Sequence, residues 1–232
     1  MKIINFLKDL IAPKKCYSCS KEWHFLCSNC FENIGFFEPI CPVCKQTSRD
    51  FEVHFYCRND YVYYDKVIIL THYKNKVIKH LIKDAKFYQR KDILEDLSLY
   101  LWNTLFHHID EKIEDIIFIT TPMYFWKKIL RGYNQSEILT KHLSKIFWGS
   151  YNIKIIKKIK STKPQSHLSK IERIENLNNS YEINKKELLK YKNKTFVIID
   201  DVFSTWTTLN EIAKLLKNHG VKKIYGLCLA SD

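Results

Sequence analysis

Glycine, proline and methionine are scarce, with 5 Gly, 5 Pro and 2 Met in 232 residues. Glycine at near 2% lies far below the average of about 7%, which excludes collagen-like and Gly/Pro-rich low-complexity chains. The same scarcity leaves few marks for element boundaries. No apolar run approaches the ~20 residues of a membrane-spanning helix, so no transmembrane segment is expected. Residues 1–11 carry Ile3, Ile4, Leu7, Leu10 and Ile11 at helical spacing, interrupted by Lys8 and Asp9. That pattern fits a short helix docked on the body better than a secretory signal or a membrane-surface anchor. No internal repeat is visible. What is abundant is apolar: 46% hydrophobic and 14% aromatic residues exclude a disordered chain. The length suits one α/β domain of ordinary size plus a small module.

Acidic residues are the scarcer charged class, 25 against 38 Lys+Arg, for a net charge of +13. The excess is local. Residues 121–195 carry +12, whereas 1–60, 61–120 and 196–232 lie at +1, 0 and 0. A genome-wide lysine bias would not leave the flanking segments neutral. The excess therefore implies a polyanionic partner, a phosphorylated ligand or a nucleic-acid backbone.

Seven of the 8 Cys fall in the first 57 residues, as Cys16-x-x-Cys19, Cys27-x-x-Cys30, Cys41-x-x-Cys44 and then Cys57. Paired knuckles with a short loop between them set four ligands tetrahedrally around zinc. Two zinc ribbons are predicted, Cys16/Cys19/Cys27/Cys30 and Cys41/Cys44/His54/Cys57, with His54-x-x-Cys57 as the last knuckle. A disulfide framework is the alternative, disfavoured by the absence of a signal peptide and the intracellular look of the attached domain. Closed shells of this kind are structural, so no catalysis is assigned to them. Cys228, on the last strand, reads as a small buried hydrophobe.

From Tyr61 onward strands and helices alternate. Lys66–His72, Ile116–Thr120 and residues 195–199 read as buried strands. Helices are expected over 74–88, 91–106, from about Gln135 to Phe147, and from about Leu209 to a stop at Gly220. Trp102 and Trp148 read as packing residues, and His107 and His108 as a helix end. This alternation predicts an α/β fold with a mostly parallel sheet and ligands at the carboxyl ends of its strands. A double zinc ribbon over 1–60 would precede that domain over 61–232.

The run from Val197 to Thr208, VIIDDVFSTWTT, joins a buried strand, the acidic pair Asp200 and Asp201, a hydroxyl-rich turn and a helix start. Loop N–H groups and a helix N-terminus face an anion there, and carboxylates can grip ribose hydroxyls. The run resembles the phosphoribosyl-pyrophosphate (PRPP) loop of type I phosphoribosyltransferases. That resemblance implies that Asp200 and Asp201 hold the ribose, while Ser204, Thr205, Trp206, Thr207 and Thr208 surround the 5′-phosphate. A second anion cradle follows the Ile116 strand. There Lys127, Lys128 and Arg131 stand beside Gly132, Asn134 and Gln135, suited to a pyrophosphate.

Arg131-Gly132-Tyr133-Asn134-Gln135 resembles the R-G-F-N-Q signature of the ComF (competence protein F) family. Further matches run in the family's order: Tyr73-Lys74-Asn75 to Lys86-Phe87, then Thr162, Gln165, Leu168, Arg173, Asn176 and Tyr181, together with the cysteine knuckles. The resemblance covers essentially the whole chain. It makes the polar stretch 160–182, otherwise a flap, a hood over a PRPP-type ligand. It also implies a cytoplasmic accessory protein of natural transformation that meets incoming single-stranded DNA and the DNA-uptake machinery. Structural Zn²⁺, and Mg²⁺ travelling with PRPP, would be its cofactors. The alternative is an enzyme transferring phosphoribose to an acceptor in nucleotide metabolism. No glutaminase-type N-terminal cysteine is present, which argues against ammonia transfer from glutamine.

Trp206 departs from the pattern, since the PRPP loop has glycine there so that the backbone can approach the ligand. Two readings follow: a pocket that has lost PRPP, or a UGA codon that some bacterial lineages read as glycine. Trp23, in the turn between Cys19 and Cys27, is a second candidate for the latter.

Overall fold

The computed structural model describes residues 13–58, 61–161, 179–204 and 206–232, and of Trp206 the backbone alone. The helix expected over 1–11, Thr205, and the hood positions Thr162, Gln165, Leu168, Arg173 and Asn176 lie outside the described residues.

A five-stranded parallel sheet organises the fold, built from β1 (Lys66–His72), β2 (Ile116–Thr120), β3 (Ser150–Tyr151), β6 (Thr195–Phe203) and β7 (Ile224–Ser231). The strand order is β1-β7-β6-β2-β3, each neighbour pair running parallel. β2 and β7 are buried along their whole length, which explains why the strands read as continuous apolar runs. Helix α3 (Lys91–His107) packs against α5 (Gln135–Phe147), and the two cover one face of the sheet. After the short helix α6 (Lys185–Leu188), helix α7 (Trp206–Lys217) lies near enough to the sheet that a Cβ on Gly226 would come 2.9 Å from Leu209 Cδ1. Val67 Cγ1 would lie at 3.1 Å as well, so glycine suits that approach at 226.

Caps set the helix starts. Asn75 accepts from the N–H groups of Val77 and Ile78 to open α2 (Lys76–Phe87), and Asn134 accepts from Ser136 N–H to open α5. Such caps contribute about 1 kcal/mol each. His108 stands just past α3, its Nδ1 3.1 Å from Asp50 Oδ1.

Several expectations shift. The strand ending at the acidic pair continues to Phe203, because Asp200, Val202 and Phe203 pair with Cys228, Ala230 and Ser231 of β7. The basic stretch before Gly132 is itself a helix, α4 (Phe125–Arg131), closed by Gly132 at φ +81. Strands β4 (Ile156–Lys158) and β5 (Tyr181–Ile183) form an antiparallel pair on either side of the undescribed hood residues. Trp102 packs as expected, edge-on to Phe147 with ring centroids 3.6 Å apart. Trp148 does not. It is 95% exposed and left-handed at the end of α5, so its ring has nothing to pack on.

The N-terminal lobe, with helix α1 (Ser28–Ile34), is stitched to the body. Phe31 stacks on Tyr100 at 4.1 Å, Tyr17 donates to Asp84 at 2.7 Å, and Lys14 pairs with Asp96 at 3.1 Å.

Candidate functional site

The carboxyl ends of β2 and β6, the start of α5 and helix α4 enclose an open cavity of about 420 Å³. Asp200 and Asp201 form its floor. Asp200 Oδ1 accepts from Ser136 Oγ at 3.0 Å and from the N–H of Asp201 at 2.9 Å. Burial, and then the neighbouring Asp201, push its carboxyl up to about 7, against those hydrogen bonds and Lys86. Asp201 is held by Lys86 Nζ at 2.7 Å.

Further cations line the same cavity. Lys127, Arg131 and Lys158 all line the cavity. Burial lowers the Lys127 ammonium below its ordinary value, and Arg131 and Lys86 add to that by repulsion. Lys158, over the Tyr181 ring at 5.4 Å, is lowered to about 8 by burial and by Lys127. Among the described residues no carboxylate lies within ion-pair distance of Lys127 or Arg131. Two further polar atoms of lining residues, Thr121 Oγ1 and Gln135 Nε2, are buried without a hydrogen-bond partner. Four cations, Lys86, Lys127, Arg131 and Lys158, against the carboxyl side chains of Asp200, Asp201 and Asp232, with two unsatisfied polar atoms beside them, suit an anion site.

The residues expected at the site separate as follows. Asp200, Asp201, Lys127, Arg131, Ser204 and Thr208 line the cavity. Thr207 is buried and does not line it, and Lys128 pairs instead with Glu137 at 2.6 Å. Thr205 and the Trp206 side chain lie outside the described residues. Tyr181, expected in the hood, lines the cavity, whereas Lys86 and Ser136 are not singled out from sequence as cavity residues. Lys86 is far away in the chain, and only the fold carries the end of α2 to Asp201. Ser136 follows Arg131-Gly132-Tyr133-Asn134-Gln135 directly, and its place on the first turn of α5 was the signal available.

The cysteine knuckles come together as two sets, Cys16/Cys19/Cys27/Cys30 and Cys41/Cys44/His54/Cys57, each with its ligand atoms within 4.8 Å of one another. Tetrahedral zinc with Zn–S near 2.3 Å sets thiolates roughly 3.8 Å apart. Cys19 and Cys27 Sγ are 3.7 Å apart, and Cys44 Sγ lies 3.3 Å from His54 Nδ1. The His54 Nε2 atom meets the Thr47 carbonyl at 3.1 Å. A backbone acceptor there fixes the tautomer that leaves Nδ1 an acceptor, open to metal or to Tyr56 Oη, which meets it at 2.8 Å. Both sets could hold zinc, which would cross-link the lobe and supply no reaction. None of the eight cysteines is in a disulfide, and Cys228 is fully buried.

A phosphoribosyl transferase domain matches residues 134–232. Competence protein F of Haemophilus influenzae is 31% identical over 230 residues, covering 93% of this chain and 97% of that protein. DNA utilization protein YhgH of Shigella flexneri is 26% identical over 229 residues, covering 95% and 98%. YhgH of Escherichia coli O157:H7 is 31% identical over 152 residues, covering 64% and 65%.

Proposed function

The chain belongs to the competence protein F family, and on that premise we propose that it serves DNA uptake with a cavity that binds PRPP and a basic segment that binds single-stranded DNA. One observation carries the ligand reading: the acidic pair and the cations Lys127 and Arg131, neither of which has a carboxylate partner among the described residues, line one cavity. Asp200 and Asp201 would accept the ribose hydroxyls. Ser204, Thr208 and the start of α7 would take the 5′-phosphate. Lys127, Arg131 and Lys158 would face the pyrophosphate. Mg²⁺ would enter with the diphosphate, offsetting its charge, because Lys86 already occupies Asp201. The names of the relatives and the +12 of residues 121–195 support the DNA part of the reading.

Calorimetric titration with PRPP, with and without Mg²⁺, tests the proposal. Binding is expected with Mg²⁺ in the parent and lost in Asp200→Asn/Asp201→Asn, with zinc content unchanged. Undiminished affinity in the double variant would remove the assigned site. Pyrophosphate release in the same mixture would move the reading to a phosphoribosyltransferase.

A further inference from the structure

A groove of about 230 Å³ adjoins the cavity and shares Lys86, Lys127 and Arg131 with it. Its remaining wall is Phe87, Gln89 and Leu130. Phe87 is 68% and Leu130 86% exposed, and the Arg131 guanidinium lies over the Phe87 ring at 5.8 Å. The face continues along α4 with the exposed rings of Phe125 and Trp126. Among the described residues no acidic side chain lines the groove. Aromatic and apolar faces interleaved with cations are the surface on which bases stack while phosphates are neutralised. An α-helix about 10–12 Å across is too wide for so small a recess, whereas a base or two fits.

We infer that this groove seats bases of a single nucleic-acid strand against Phe87 and Leu130, with the adjoining phosphate on Lys127 and Arg131. The inference rests on the single-strand reading above and adds where the strand runs, past the mouth of the phosphoribosyl cavity. Fluorescence anisotropy of labelled oligo(dT) with the full chain tests it. Phe87→Ala/Leu130→Ala should weaken oligo(dT) binding about tenfold, within the range of one lost stacking contact, while PRPP affinity stays at the parent value. Both side chains are exposed, so folding is not at stake. Unchanged oligo(dT) affinity, or an abasic oligomer bound equally well, overturns the groove. Loss of oligo(dT) binding in a protein that never binds PRPP would reject the cavity reading and keep the groove.

A different observation carries a second inference. Trp23 and Trp148 have φ of +77° and +55°, a region that bulky residues adopt only under strain. Of the other six non-glycine residues there, five have a visible reason, and Gln89 at φ +56° has none. Ser20 and Lys45 close zinc knuckles, Asp50 and Asn179 are tolerated types, and the Phe51 ring is fully buried in the core. Trp148 is 95% exposed and has almost no packing to offset its strain, and Trp23, 56% exposed, has little. Trp148 is the left-handed residue ending α5, the role that Gly132 plays for α4. Trp206 opens α7 directly after the phosphate-loop hydroxyls, where a backbone must approach an anion.

We propose that positions 23, 148 and 206 are UGA codons read as glycine in the cell, which completes the phosphate loop. Trp102, inside α3 with its ring on Phe147, is a true tryptophan. The codons, with the masses of the corresponding peptides from native protein, decide it. UGA with glycine at 23, 148 and 206 and UGG at 102 supports the proposal; UGG at any of the three, or UGA at 102, overturns it. Trp23→Gly/Trp148→Gly should raise Tm by about 2–4 °C, the left-handed cost outweighing the entropy of glycine. A lower Tm would count against it equally.

Discussion

Asp200 carries the clearest single-residue consequence. Its carboxyl is raised to about 7 by burial and by Asp201, against about 4 in an unfolded chain. Between those values the folded chain holds a proton that the unfolded chain has released, so stability falls as pH rises through that window. Asp200→Asn keeps an acceptor for Ser136 and removes the charge. Its Tm should exceed the parent's above pH 7, by about 2–4 °C for each kcal/mol recovered, and converge with it near pH 4. A Tm difference that does not change with pH would contradict the burial of this group. Ligand binding adds a second limb. Ionised Asp200 is needed to accept ribose hydroxyls, and protonated Lys158, lowered to about 8, is needed to face pyrophosphate. PRPP affinity measured across pH should therefore peak between about 7 and 8 and fall on both sides.

At the scale of elements, strand β4 and its flank hold Lys157, Lys158 and Lys160, of which Lys157 and Lys160 are exposed. Neutralising all three should flatten the slope of log affinity for single-stranded DNA against log salt by about 2, near 0.7 per lost phosphate contact. An unchanged slope would place the DNA elsewhere on the chain. The elements differ in how plainly their sequences announced them. β2 and the buried part of β6 are legible because a parallel strand covered on both faces leaves an unbroken run such as Ile116–Thr120. Asn75 and Asn134 mark helix starts in the same way. α4 was missed because seven residues with Lys127, Lys128 and Arg131 among apolar ones show too few turns for periodicity. The continuation of β6 past Asp200 depends on β7 lying beside it, a long-range pairing that a local pattern does not carry. The same holds for Lys86, whose role follows only once α2 ends against Asp201.

On the scale of the whole molecule, the two knuckle sets were legible because ligand spacing is local chemistry. Their coupling to the body was not. Reading 1–60 as a separate ribbon leads to the expectation that metal loss unfolds residues 1–60. The contacts argue for a wider effect. One continuous cluster of buried residues runs from Cys16 and Phe31 through Leu101 to Ala230. Tyr100, on α3, donates to the Leu26 carbonyl at 2.7 Å, and the backbone N–H of Phe37 donates to Leu70 of β1 at 3.0 Å. Structural zinc contributes roughly 10 kcal/mol or more to the folding of small ribbons, so the lobe loses its shape without it. The faces it covers on α3 and β1 then open to water. Purified protein should hold two zinc ions per chain, and His54→Ala should reduce this toward one. Chelation or thiol alkylation should lower the main melting transition of the body and remove any separate lobe transition. An unchanged body Tm in zinc-free protein would show instead that the lobe is an independent unit and that its contacts with α3 and β1 contribute little.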